Sequence, residues 1–300
     1  MPQNQAFDRY APAMSRSFAL RSFNKYETEI NQNFWSFKVI SEFSRFTAKS
    51  AFDASPTTPT ADAFHATGPD ALRIPPTVGD WLDARTELEN WLRLSALVSA
   101  TAYLETYLRQ IVRSALMAEP MCRYGSTREI DGLTLLKRDI EIPYKAEIDD
   151  ITKGDWNARF AGFRRLFGPY EDKSISISDL EEIRRLRNDF AHGFGRDSNV
   201  SKEPSQGNIE PANRLSHSTF LRYMAMISKT AASIDRYILP HVIGNFELLH
   251  FYHGWQGRER NPEDAIYDKP RALQRSLTRD QSLTVSGKFC KGMMAYYDSV

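Results

Sequence analysis

The 300-residue chain has only two cysteines, Cys122 and Cys290. That is too few for a disulfide framework, and both read as bland thiols in a reduced, cytoplasmic setting. Net charge is nearly absent as well, at +1. A global electrostatic pull on nucleic acid is therefore excluded, and any such binding must come from local patches. No stretch approaches the ~20 apolar residues that cross a bilayer. The start of the chain carries no uninterrupted apolar run of the signal-peptide kind. There is no glycine-rich phosphate loop and no internal repeat. His241, His250 and His253 lie close in sequence. No carboxylate pattern joins them into a ligand set, so they read as surface or core histidines, and neither metal nor cofactor is expected.

What is present is helical periodicity. The hydrophobic share of 41% suffices for a real core. Residues 1–13 are polar and contain proline, the composition of a frayed end. Residues 14–50 are dense in aromatics: Phe23, Tyr26, Ile30, Phe34 and Phe37 recur at helical spacing, and Ile40 and Phe43 continue the run. This stripe belongs either to an ordinary packing helix or to one that crosses a subunit interface, where aromatics are enriched. Residues 53–79 turn to Pro, Thr, Gly and Asp, the chemistry of an exposed loop that holds His65 as a solvated bystander.

The longest helical signal covers 80–118, from Trp81 through Leu88, Trp91, Leu94 and Leu97 to Ala115, with Pro120 as its stop. Residues 119–142 read as irregular, with a short extended piece at 133–136 or 140–142. Residues 143–168 resume as helix, with a break near Gly154; Trp156, Phe160, Phe163 and Phe167 form the stripe, and Gly168-Pro169 ends it. Arg159 and Arg164 flank that stripe and Arg165 points away, on either a solvated face or a phosphate-contacting patch. A fourth helix covers 216–251, kinked or ended at Pro240. The tail 256–300 is half charged loop and half apolar, with 283–297 readable as helix or strand.

The chain is organised around Ser178–Gly195. Ser178 is an N-cap candidate, and Glu181 completes a capping box. Leu180, Ile183, Leu186 and Phe190 make one apolar stripe, and Gly193 and Gly195 offer a stop. Arg187 falls at the edge of that stripe and, as a permanent charge, needs a partner. His192 has a reference pKa of ~6.5, which lets it move protons near neutrality. In the last helical turn the helix dipole favours its protonated form. Arg187 offers a guanidinium fork suited to phosphate oxygens. Asn188 supplies an amide to orient phosphate or imidazole. Asp189 either holds the imidazole of His192 or is solvated. Glu105, within Ala102–Val112, either meets Arg187 or stays on the surface.

Arg187-Asn188-Asp189-Phe190-Ala191-His192, followed by Gly193, resembles the Arg-x4-His signature of the HEPN superfamily (higher eukaryotes and prokaryotes nucleotide-binding). In that family a polar residue, often Asn, follows the Arg. The segments 102–112 and 154–168 are similar to the helices around the motif in such domains, so the likeness spans roughly 80–255.

The resemblance implies an all-α, HEPN-like helical bundle. A helical arm at 1–52, a linker at 53–79 and a C-terminal extension at 256–300 would surround a core at 80–255. It also implies a metal-independent endoribonuclease, usually a homodimer in which two motif helices share a cleft, acting as a toxin or anti-phage effector. RNA is then the substrate and an antitoxin or regulator a partner, with no role for a membrane. Carried over by position, Arg187, Asn188 and His192 form the catalytic set, with Asp189 and Glu105 in support. Arg164, Arg165, Arg184, Arg185 and Arg196 are candidate RNA contacts. The competing expectation is a non-catalytic helical binding module.

Overall fold

A computed structural model describes residues 6–193, 213–256 and 268–300, with the side chains of 192 and 193 excepted. The described residues are all-α. Their one β feature is an isolated antiparallel bridge between Pro59 and Thr77. The elements are α1 (Phe18–Ala54), α2 (Thr60–Ala63), α3 (Val78–Ala118), α4 (Gly132–Leu136), α5 (Lys145–Thr152), α6 (Trp156–Phe167), α7 (Ile177–Gly193), α8 (His217–Ile238), α9 (Phe246–Gln256), α10 (Lys269–Gln281) and α11 (Gly287–Ser299). No helix among the described residues is long and apolar enough to cross a membrane.

The chain divides into two compact units. Unit 1 comprises Met1–Phe23, Glu105–Ile175 and Lys229–Val300, and unit 2 comprises Asn24–Leu104 and Ser176–Ser228. These boundaries differ from the sequence-derived segmentation at 52, 79 and 255, because α1, α3 and α8 each contribute residues to both units.

Unit 1 has its apolar centre where the tail meets the start of the chain. Ala13, Met14, Leu248, Leu249, Tyr252 and Trp255 pack with Leu273, Leu277, Phe289 and Met293 of α10 and α11. The described part of the tail, 268–300, forms two helices, each capped by a side chain: Asp268 accepts from the Arg271 amide and Ser286 from that of Phe289. Residues 6–13 are embedded rather than frayed. Arg9, 2% exposed, bonds to the Asp131 carboxylate at 3.1 Å and donates to the Ile243 and Ala118 carbonyls at 2.7 and 3.1 Å. Gly244, at φ 57°, lets this segment pass, since a Cβ there would collide with the Arg9 carbonyl.

The stretch 133–136 is helical, not extended: the Asp131 side chain caps α4 by accepting from the Leu133 amide at 3.0 Å. The break near Gly154 is real, with φ 79° between α5 and α6. Pro240 converts the end of α8 into a π-turn at Leu239–Ile243 before α9 begins. Burial pushes the Cys122 thiol up to about 12 and that of Cys290 to about 11, so neither is a nucleophile near neutrality.

Unit 2 is built on α1, α3, α7 and the first half of α8. Tyr26 stacks on Tyr103 with centroids 4.5 Å apart, and Phe34 meets Phe220 at 4.7 Å. Of the predicted α1 stripe Phe23 is buried, Ile30, Phe34 and Phe37 are half-buried, and Tyr26, Ile40 and Phe43 are exposed.

Candidate active site

Helix α7 begins at Ile177, one residue before the anticipated cap. Ser176, not Ser178, caps it. Its Oγ accepts from the Asp179 amide at 3.2 Å, and its carbonyl accepts from the Leu180 amide at 3.1 Å. Glu181 is drawn into an ion pair with Arg184 at 2.8 Å instead of closing a box on Ser178. The buried face of α7 is Leu180, Ile183 and Leu186. Phe190 is half-buried, and its ring lies 6.3 Å from that of Trp91 on α3.

Arg187 and Asn188 are also half-buried. The Arg187 Nη1 donates to Asn188 Oδ1 at 3.0 Å, so the amide holds the guanidinium from the neighbouring position. Asp189 accepts from Asn213 Nδ2 at 3.2 Å. His192 closes the helix; its backbone is helical, and its side chain lies outside the described residues, as does Arg196.

The segment leading into α8 is fixed beside this half of α7. Asn90, buried on α3, accepts from the Leu215 amide and donates to the Asn213 carbonyl, both at 2.9 Å. Arg93 donates to the Leu215 carbonyl at 2.7 Å, and Arg214 pairs with Glu87. Arg222 of α8 reaches Asp179 at 3.5 Å. The motif half of α7 thus has Trp91 at its side, with Arg93 and Arg214 on the structure that holds Asn213. Sequence reading placed Trp91 in a core stripe. It is 49% exposed, and no pattern in the sequence separates it from its buried helical neighbours.

No family model, curated protein or solved structure matches the chain.

The other nominated residues fall into distinct places. Arg184 and Arg185 lie on α7, and each is held by a glutamate three residues earlier, at 2.8 and 2.5 Å. The Glu182 carboxylate raises the Arg185 pKa, so that guanidinium stays charged. Glu105 belongs to unit 1, where it is buried and pairs with Arg159 at 3.6 Å. Arg159 is buried rather than flanking a solvated face: it lies over the Trp156 ring at 4.9 Å and donates to the Gly154 carbonyl at 3.2 Å. Arg164 and Arg165 are exposed on α6, with Arg165 paired to Asp150. A separate cavity of about 260 Å³ in unit 1, lined by Arg113, Met117, Leu135, Ile140 and Phe246, contains none of the nominated residues.

Proposed function

We propose that the protein is a metal-independent endoribonuclease of the HEPN type, with Arg187, Asn188 and His192 as its chemical core. The observation that carries this reading is the Arg187–Asn188 contact on a capped helix with His192 one turn further on. RNA brings its own nucleophile, the 2′-hydroxyl beside each phosphate. Cleavage needs a group to take that proton, a cation to steady the phosphate oxygens and an acid for the departing 5′-oxygen. The Arg187 guanidinium, oriented by the Asn188 amide, fits charge stabilisation. His192 sits at the negative end of the α7 dipole, which favours imidazolium and so the acid role.

One motif supplies one histidine, whereas the reaction uses both a base and an acid. Two motif helices related by a two-fold axis supply both, and C2 dimers are the commonest symmetric assembly. A toxin or anti-phage role in the cytoplasm, with an antitoxin as partner, completes the reading.

The test is an RNA oligonucleotide incubated with the protein in excess chelator, the fragments weighed by mass spectrometry. The expected products carry a 2′,3′-cyclic phosphate on one side and a 5′-hydroxyl on the other. An otherwise identical strand methylated at the 2′-oxygen stays intact. Fragments with 5′-phosphates, or cleavage that appears only on adding magnesium, would assign the nucleophile to a metal-activated water. Uncut RNA at every condition would leave a helical binding module.

A further inference from the structure

The cavity of about 260 Å³ in unit 1 joins an apolar interior to a charged rim. Phe246 and Tyr144 are buried in its wall, and Met117, Leu135 and Leu136 are half-buried beside them. Arg113, Asp139 and Glu141 are exposed and form the rim. The wall is set by the backbone. A Cβ on Gly132 would stand 1.6 Å from the Met117 carbonyl oxygen, so α4 can start here only on a glycine. The space is thereby shaped before any guest arrives, as small-molecule sites usually are.

We propose that this cavity binds a small primary amine with an apolar body, of the arylalkylamine class. The proposal stands apart from the ribonuclease reading, since none of that reading's residues lines the cavity. Size is the first argument. An apolar cavity of about 150 Å³ is enough to hold benzene. The volume here admits an aromatic ring together with the few atoms of a short side arm. It falls short of the roughly 300–1,000 Å³ that drug-sized ligands occupy, so the guest is small.

Charge is the second argument. Three charged residues line the rim. Arg113 Nη2 donates to Glu141 Oε1 at 2.7 Å, so those two cancel. Asp139 is the surplus. Its side chain is 92% exposed, and the imidazole of His253 stands 4.0 Å away, beyond hydrogen-bonding distance. The ammonium of Lys137, two positions earlier, is drawn off to the Tyr297 carbonyl at 2.7 Å. A monocation restores neutrality at this rim, whereas a carboxylate would add a second surplus charge of the same sign. A zwitterion would bring its own carboxylate along with its ammonium and leave the surplus in place.

Ligand-observed magnetic resonance titrations of the full chain with 2-phenylethylamine, 2-phenylethanol and 3-phenylpropionate test this. The amine should bind with a Kd on the order of 1 mM, within reach of a ligand of so few atoms. The alcohol, its neutral isostere, should bind about fivefold more weakly, the scale of an exposed charge contact, and the acid more weakly still. Asp139→Asn should bring the amine down to the alcohol and leave the alcohol unchanged. Asparagine accepts the left-handed backbone of this position, at φ 53°, so the variant keeps the fold. Leu135→Trp should fill the cavity and remove binding of all three, with unchanged circular dichroism. Equal affinities for amine and alcohol would reduce the cavity to an apolar gap, and tighter binding of the acid would make it an anion site on Arg113. Either result overturns the proposal, as does an amine that fails to bind up to about 10 mM, roughly ten times the expected Kd. The titrations contain no RNA, so failure of the ribonuclease reading leaves their outcome untouched.

Discussion

The Arg187–Asn188 contact ties a strong donor to the residue beside it, and in the proposed reaction that contact aims a fork at the phosphate. Arg187→Lys keeps the charge but loses the fork, so RNA cleavage should drop by about 10²-fold or more while helix content stays the same. His192→Ala removes the proton-moving group and should cost about 10²–10⁴-fold. Single-turnover cleavage of one oligonucleotide, with circular dichroism on each variant, measures both. A variant that cuts as fast as the wild type would reduce its residue to a structural part. The likeness that nominated these residues was readable from six consecutive letters. Trp91 was not, because a tryptophan at a helical core position has the same pattern whether or not its outer edge is covered.

Among the elements, those with strong period and strong punctuation were legible: α3 stops before Pro120, α6 between Gly154 and Gly168, and α8 at Pro240. The start of α7 was misplaced because Ser176 and Ser178 offer the same hydroxyl. Which one caps depends on which orphan amide it reaches, and Ser176 reaches that of Asp179. Ser176→Ala should therefore destabilise the protein by about 1 kcal/mol, whereas Ser178→Ala should change little. Urea midpoints of the two variants, compared at constant m, give the answer; equal effects would contradict the assignment of the cap. Which of the two readings of the α1 stripe holds was open for a different reason. Periodicity reports that Phe43 and Phe46 are apolar, not whether another part of the same chain comes to meet them.

On the scale of the whole molecule, the contacts that hold unit 1 together join residues far apart in sequence, such as Arg9 with Asp131, which no local window displays. The first turn of α1 is the clearest case, since it is seated on two buried acids. The Ser17 amide donates to Asp235 at 3.2 Å and the Phe18 amide to Glu247 at 2.8 Å, while the Ser114 hydroxyl donates to Glu247 at 3.0 Å. Burial outweighs those bonds and pushes Glu247 up to about 7, and it raises Asp235 as well. The folded chain therefore binds more protons than the unfolded chain between pH 4.5 and about 7. Stability from Glu247 is complete below the unfolded value and is lost as pH climbs through the folded one, a fall of up to about 3 kcal/mol. Glu42 and Asp172 act in the opposite sense. Both are lowered to about 2, by Lys38 and by the Ser174 hydroxyl respectively, so their contribution disappears only under stronger acid. Maximum stability should then lie near the unfolded carboxylate range, at mildly acidic pH, and decline toward pH 8. Glu247→Gln isolates the cause. Its amide oxygen still accepts from Phe18, its NH2 can donate to the Ser114 hydroxyl, and no proton is exchanged. Denaturant unfolding at pH 5, 6, 7 and 8 should show the decline in the wild type and a flatter profile in the variant, with the variant the more stable at pH 8. Parallel profiles would mean that the decline originates elsewhere than at the seat of α1.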